Sequence, residues 1–167
     1  MSEPQGMEVS DGGVALRTAQ IGKAGELLVQ HVLFLQGIES SHMSTDSGVD
    51  LVAYSPRVKQ ARTIQVKTNL RPKPSGGKGK PALDWWFPIM GTAELLALVD
   101  VSEQRIWLFP YEEAVGWAQQ KPASRPDAHL YMHLEQVGTR SVHERTHIDH
   151  FDDYRLSRRL SLINGPF

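Results

Sequence analysis

The chain has 167 residues, 40% of them hydrophobic, with a formal net charge of −1 and no cysteine. That length and composition suit one globular domain with a single substantial core and exclude wholesale disorder. They also exclude disulfide staples and thiolate metal sites, and no apolar run approaches the ~18 residues that span a bilayer. Together with the polar, acidic first residues, this predicts a cytoplasmic protein with no membrane partner.

In chain order, residues 1–13 read as a flexible N-terminal tail ahead of a single domain over 14–167. From Arg17 to Gln36 the apolar positions Ile21, Ala24, Leu27, Leu28, Val32 and Leu35 recur at steps of three and four, which predicts an amphipathic helix stopped by Gly37. Ile38 to Ser44 has a weak strand pattern. Val49 to Tyr54 is apolar between Gly48 and Ser55-Pro56 and predicts a buried strand. Arg62 to Thr68 alternates, with Thr63, Gln65 and Lys67 on one face and Ile64, Val66 and Thr68 on the other.

Arg71 to Pro81, rich in Pro, Gly and Lys, predicts a flexible basic loop. A short strand follows over Trp85 to Met90, with at least two of Trp85, Trp86 and Phe87 expected in the core and the remainder free to stack on bases. Leu95 to Val101 and Arg105 to Phe109 form a hairpin. Pro110 opens a helix over Glu112 to Gln119. A last strand is expected over His129 to Glu135. Ser141 with Glu144 makes a capping box, predicting a C-terminal helix toward Leu160. The class is α/β, with α+β as the alternative, built on a mixed sheet flanked by helices.

The charge is unevenly spread. Arg57, Lys59, Arg62, Lys67, Arg71, Lys73, Lys78 and Lys80 follow one another without an intervening Asp or Glu. A neutral chain with one basic segment still presents a local phosphate-binding face. Lys23, Arg71, Lys73, Lys78 and Lys80 are the expected nucleic-acid contacts, supplying salt-dependent affinity and no sequence readout.

Three segments belong together: Gly22-Lys23-Ala24-Gly25-Glu26 in the first helix, Gly48-Val49-Asp50 before a strand, and Gln65-Val66-Lys67 in the next strand. A hairpin between those strands brings Asp50 to the Gln65/Lys67 face, and a helix packed there brings its Glu within reach. In that order the segments resemble the core of PD-(D/E)XK nucleases, nearest the branch of small intron-type endonucleases and archaeal Holliday-junction resolvases. The resemblance covers residues 17 to 110. It implies a restriction-endonuclease-like core of order α-β-β-β-α-β and an endonuclease that hydrolyses DNA with Mg²⁺, Mn²⁺ substituting. It also implies a catalytic set of Glu26, Asp50, Gln65 and Lys67. Asp50, Gln65, Glu26 and the backbone carbonyl of Val66 are the implied metal ligands, and Lys67 orients the attacking water. Val49 stands at the proline position, and Gln65 stands where an acid is usual, so this ligand brings an oxygen but no charge.

Two other readings follow from the residues. A chain that lost an acidic ligand at Gln65 is a catalytically inactive nucleic-acid-binding module of the same fold. His143-Glu144-Arg145-Thr146-His147 matches the H-E-x-x-H pattern of zinc metallopeptidases, but the pattern is short and lies close to the C-terminus. Cutting both strands of a duplex with one site per chain favours a homodimer or higher homo-oligomer.

Overall fold

The computed structural model describes residues 8–135 and 146–166. Strands β1 (Glu8–Val9) and β2 (Ala15–Leu16) form a short antiparallel ladder. Residues 8–13, expected in a flexible tail, are therefore part of a paired turn. The Arg17 N–H donates to the Gln20 side chain at 2.8 Å, satisfying a donor at the start of helix α1 (Thr18–Leu35). The helix ends as Gly37 predicts. Its φ is +71°, and the bonds Ile38 N–H to Leu33 O and Gly37 N–H to Phe34 O, both 3.0 Å, make a Schellman cap.

The buried stripe of α1 is Ile21, Gly25, Val29 and Leu33, a pure four-residue row. The expected Leu27 and Leu35 are 52% and 70% exposed. The cause is Gly25. A Cβ added there would lie 2.7 and 2.8 Å from Thr68 Cγ2 and Cβ, so the bare glycine lets the helix backbone rest directly on strand β5 and turns that row inward.

Strands β3 (Glu39–His42), β4 (Leu51–Ser55) and β5 (Gln60–Asn69) run antiparallel in sequence. Strands β8 (Leu95–Asp100) and β9 (Arg105–Pro110) form the expected hairpin and complete a five-stranded mixed sheet of order β3-β4-β5-β8-β9. Only the β5–β8 pairing is parallel, and a parallel pair needs a long crossover. Here the crossover contains strands β6 (Lys73–Pro74) and β7 (Pro81–Pro88) with a 3₁₀ turn at Ser75–Gly77 between them. The expected flexible loop at 71–81 is therefore a paired β-arm. Helix α2 (Tyr111–Trp117) follows β9, and β10 (Asp127–His133) joins β7 and β6 in a second sheet of order β10-β7-β6.

The sheets and helices make layers. Leu95, Ala97 and Val99 of β8 face α1 with Val29, Leu33, Leu51 and Ile64. Leu96 and Leu98 face the second sheet with Trp85, Phe87, Leu130 and Met132. A strand buried on both faces explains the unbroken apolar run of β8. Trp85 and Phe87 are core, as expected, whereas Trp86 stacks on His129 with Arg125 over its ring.

The chain closes with a 3₁₀ segment (Ile148–Tyr154) and helices α3 (Leu156–Arg159) and α4 (Ser161–Asn164). The continuous C-terminal helix expected from residue 141 is replaced by three short turns. Its proposed cap at Ser141 and Glu144 lies outside the described residues. No helix among the described residues is long and apolar enough to cross a membrane.

Gly25→Ala is expected to cost about 1–3 kcal/mol in urea unfolding, the usual penalty of overpacking. Thr68→Ala in that background recovers only part of the loss, because the Thr68 Cβ itself lies 2.8 Å from the new methyl position.

Candidate active site

The site begins where β4 begins. Gly48 has φ +79°, and a Cβ on it would lie 2.8 Å from Thr92 Oγ1, so the turn before the strand requires glycine twice over. Thr92 Oγ1 donates to Ser47 O at 2.7 Å and closes the turn. Asp50 then extends two ladders by one residue: its N–H donates to Ile64 O at 2.9 Å, and its carbonyl accepts from Met43 N–H at 3.0 Å. Its carboxylate Oδ2 accepts the Val66 N–H at 2.6 Å.

Burial is the chief reason the Asp50 carboxyl is pushed above the ordinary aspartate range. The Val66 N–H opposes it, Glu26 and Asp46 push it further up, and Lys67 pulls it down. Glu26, Asp50 and Lys67 thus share one electrostatic neighbourhood.

On β5 the predicted alternation holds. Ile64 and Val66 belong to the core under α1. Gln65, on the opposite face, is 7% exposed and meets Tyr111, the first residue of α2. The two contact atoms, Tyr111 Oη and Gln65 Oε1, lie 3.0 Å apart. Gly91 makes room, since a side chain there would collide with the Tyr111 ring. The backbone N–H and C=O of one strand residue point to the same edge. The Val66 carbonyl therefore points to the edge where its N–H binds Asp50.

Glu26 comes from α1, one residue after the glycine that seats the helix. Its carboxylate pairs with Lys23 and lies 3.1 Å from His42 Nδ1. His42 pairs with Leu51 at the end of β3, which puts it beside Asp50. Sequence reasoning passed over both His42 and Tyr111. One sits in a strand of weak pattern, and the other lies outside the predicted bounds of its helix.

Among the described residues there is no group of three or more His, Cys, Asp or Glu side chains arranged to hold a metal ion. The oxygens expected as ligands are two carboxylates, an amide and a backbone carbonyl, with Gln65 on the face of β5 opposite α1. Such a set suits a hard divalent cation that keeps part of its water shell, and does not suit zinc or copper. Asp50 is partly buried and the Glu26 charge adds to its cost of ionisation, a cost that an added cation relieves.

Lys23, Arg71, Lys73 and Lys80, four of the five expected nucleic-acid contacts, have acidic neighbours. Arg71 donates to Val9 O at 2.6 Å and lies 3.4 Å from Asp11. Lys73 pairs with Glu8, and Lys80 lies 3.4 Å from Glu135. These ion pairs tie the β6–β7 arm to the N-terminal ladder and to the end of β10. Exposed pairs of this kind are worth little and exchange readily for another anion.

The H-E-x-x-H reading fails at its second histidine. His143, Glu144 and Arg145 lie outside the described residues, but His147 is extended (φ −92°, ψ 145°) and caps the 3₁₀ segment instead of sitting on a helix. Its Nδ1 accepts from Asp149 N–H at 3.2 Å, and its Nε2 faces Leu134 O at 3.2 Å, so Nε2 carries the proton. No ring lone pair is left for zinc.

No protein-family model and no curated protein matches the sequence. Among solved structures, the chain is similar to a bacterial homing endonuclease, I-Ssp6803I, at a TM-score of 0.56 and 16% identity. The match covers 90% of this chain and 96% of that one. At that identity the likeness establishes a shared mixed α/β fold over nearly the whole length of both chains.

Asp50→Asn tests the electrostatics. A carboxyl whose folded pKa is raised contributes stability below its ordinary pKa and loses it as pH rises through the folded value. The metal-free protein therefore gains stability from this group on acidification through that window. Removing the charge is expected to raise stability at neutral pH by about 1 kcal/mol, with a flatter acid side to the Tm-versus-pH curve.

Proposed function

We propose that the chain is a metal-dependent endonuclease of the PD-(D/E)XK kind that hydrolyses DNA phosphodiester bonds. The observation that carries the proposal is a partly buried Asp50 held against the Val66 edge of β5, with Glu26 and Lys67 both acting on its charge. The shared fold with a homing endonuclease supports it. Asp50 is the principal metal ligand, with Glu26, the Gln65 side-chain oxygen and the Val66 carbonyl completing the protein's share. Mg²⁺, or Mn²⁺ in its place, supplies positive charge to the scissile phosphate and makes water a stronger nucleophile.

The remaining roles belong to the chain. Lys67, on the Gln65 face, orients the attacking water and stabilises negative charge developing on the phosphorus oxygens. His42 and Lys23 hold the Glu26 carboxylate in place. Lys23, Arg71, Lys73, Lys78 and Lys80 contact the phosphate backbone and set register without reading bases. Double-strand cleavage then requires two copies, so the active species is a homodimer or a larger homo-oligomer.

A second reading draws on two observations: the ligand at 65 is neutral, and Glu26 is already held by Lys23 and His42. On that reading the chain binds DNA without cutting it. Incubation of supercoiled plasmid with the protein and Mg²⁺ or Mn²⁺ separates them. The nuclease nicks, and Asp50→Ala or Lys67→Ala lowers the rate by about 100-fold or more. An inactive module shifts DNA in gels but leaves wild type and variants equally unable to nick.

The basic arm is tested by salt. Replacing Lys73, Lys78 and Lys80 with Gln is expected to weaken DNA binding across all sequences. The slope of log affinity against log salt should become shallower by about 3, roughly one unit for each phosphate that a lysine no longer neutralises. An unchanged slope removes the arm from the interface.

A further inference from the structure

Tyr111 has two polar neighbours and one proton. Its Oη lies 2.9 Å from Pro88 O and 3.0 Å from Gln65 Oε1. A tyrosine hydroxyl has a single hydrogen, and a backbone carbonyl only accepts. A phenolic hydroxyl ordinarily loses its proton only at about pH 10, so that one proton stays in place at neutral pH. With Oε1 toward the ring, two acceptors face one donor inside a region where Tyr111 and Gln65 are 6% and 7% exposed. Water has little access to relieve the conflict.

A half-turn of the amide resolves it. Tyr111 then donates to Pro88 O and accepts from the Gln65 Nε2 hydrogens. The amide oxygen moves to the position now held by Nε2, on the Gly48 side, where an ideal Gly48 Cβ is 3.9 Å away. That is the side from which Asp50 enters β4. We infer that Tyr111, with its proton committed to Pro88, is a positioning residue that turns the Gln65 carbonyl oxygen toward Asp50.

The pair also explains why an amide suits position 65. A carboxylate there has no hydrogen to give Tyr111. The hydroxyl must then abandon Pro88 O or stand against a buried anion. Tyr111 and Pro88 together form a socket matched to glutamine, and Gly91 is the glycine that lets the ring occupy it. The metal-binding consequence rests on the reading of the site as a cation site. The orientation of the amide does not.

Two measurements on the full chain test this. In the metal-free wild type, nuclear Overhauser effects from the Gln65 side-chain amide protons are expected to the Tyr111 ring protons. Effects to the Gly48 α-protons instead overturn the inference. Mn²⁺ titration by calorimetry then compares wild type, Tyr111→Phe, Gln65→Glu and the double variant, with circular dichroism reporting the fold. Tyr111→Phe is expected to weaken Mn²⁺ about tenfold, the usual size of an effect from a group orienting a ligand. Gln65→Glu in that background restores binding, because a carboxylate presents an oxygen either way round. An unchanged affinity in folded Tyr111→Phe, or a weakening that Gln65→Glu does not rescue, refutes the positioning role. If wild type shows the expected amide effects but no Asp50-dependent Mn²⁺ binding, the cation reading falls and the amide orientation stands.

Discussion

One hydrogen bond organises the site: the Val66 N–H to the Asp50 carboxylate, at 2.6 Å. Strand β4 starts at Leu51, opposite Ile64, so the Val66 N–H points at an edge where the β4 ladder has run out. An unpaired N–H at the edge of a core is costly, and the aspartate side chain fills the missing place. The carboxylate is thereby fixed against β5 by the same rule that pairs every other strand. It is also drawn far enough inside for burial to oppose its ionisation. The fold therefore places a carboxylate where its charge is poorly solvated, with Lys67 in its field.

The positions of Gln65 and Lys67 follow from parity and register. β5 is held by β4 on one side and by β8 on the other, antiparallel and parallel respectively. A slip of one residue would exchange Ile64 and Val66 with Gln65 and Lys67, sending apolar groups into the site and an ammonium under α1. Two flanking ladders forbid that slip. The parallel pairing in turn forces a long crossover, and that crossover is what covers the Gln65 face. β7 leads to Pro88 and Gly91, both of which touch Tyr111. Topology thus delivers the residues that surround the amide.

Much of this was readable from side-chain patterns, and the rest was not for identifiable reasons. The Asp50, Gln65, Lys67 spacing and the alternation of β5 are local, and local signals survive folding. The Gly37 cap is local as well. The buried stripe of α1 was misread because hydrophobicity gave weight to Leu27 and Leu35 and none to Gly25, whose contribution is the absence of a side chain. His42 and Tyr111 carry no pattern of their own. Each matters through a partner distant in sequence, Glu26 for one and Gln65 for the other. The second sheet was half visible: strands near β7 and β10 were expected, but β6 was read as flexible loop, and pairing β6 and β10 on either side of β7 is a long-range choice that short windows do not encode. The second half of the H-E-x-x-H pattern shows the converse error, a local match whose last histidine is already committed as a cap.

The glutamine at 65 acquires a physical meaning in this setting. Around Asp50 the other carboxylates are Glu26 and Asp46, against Lys67 in the same field and Lys23 paired with Glu26, so negative charge is already in slight excess before any ion binds. An acid at position 65 would add a further negative charge at a place only 7% exposed, against a tyrosine whose proton is needed elsewhere. Burying an unpaired carboxylate there is expensive. An amide supplies an oxygen of the same reach without that cost, at the expense of weaker attraction for a cation. The neighbours of Gln65 are shaped for that exchange: a hydroxyl that accepts, a proline carbonyl that takes its hydrogen, and glycines where side chains would intrude. A position that had merely decayed from an acid would not require this fitted surround. The local structure treats the amide as the intended group.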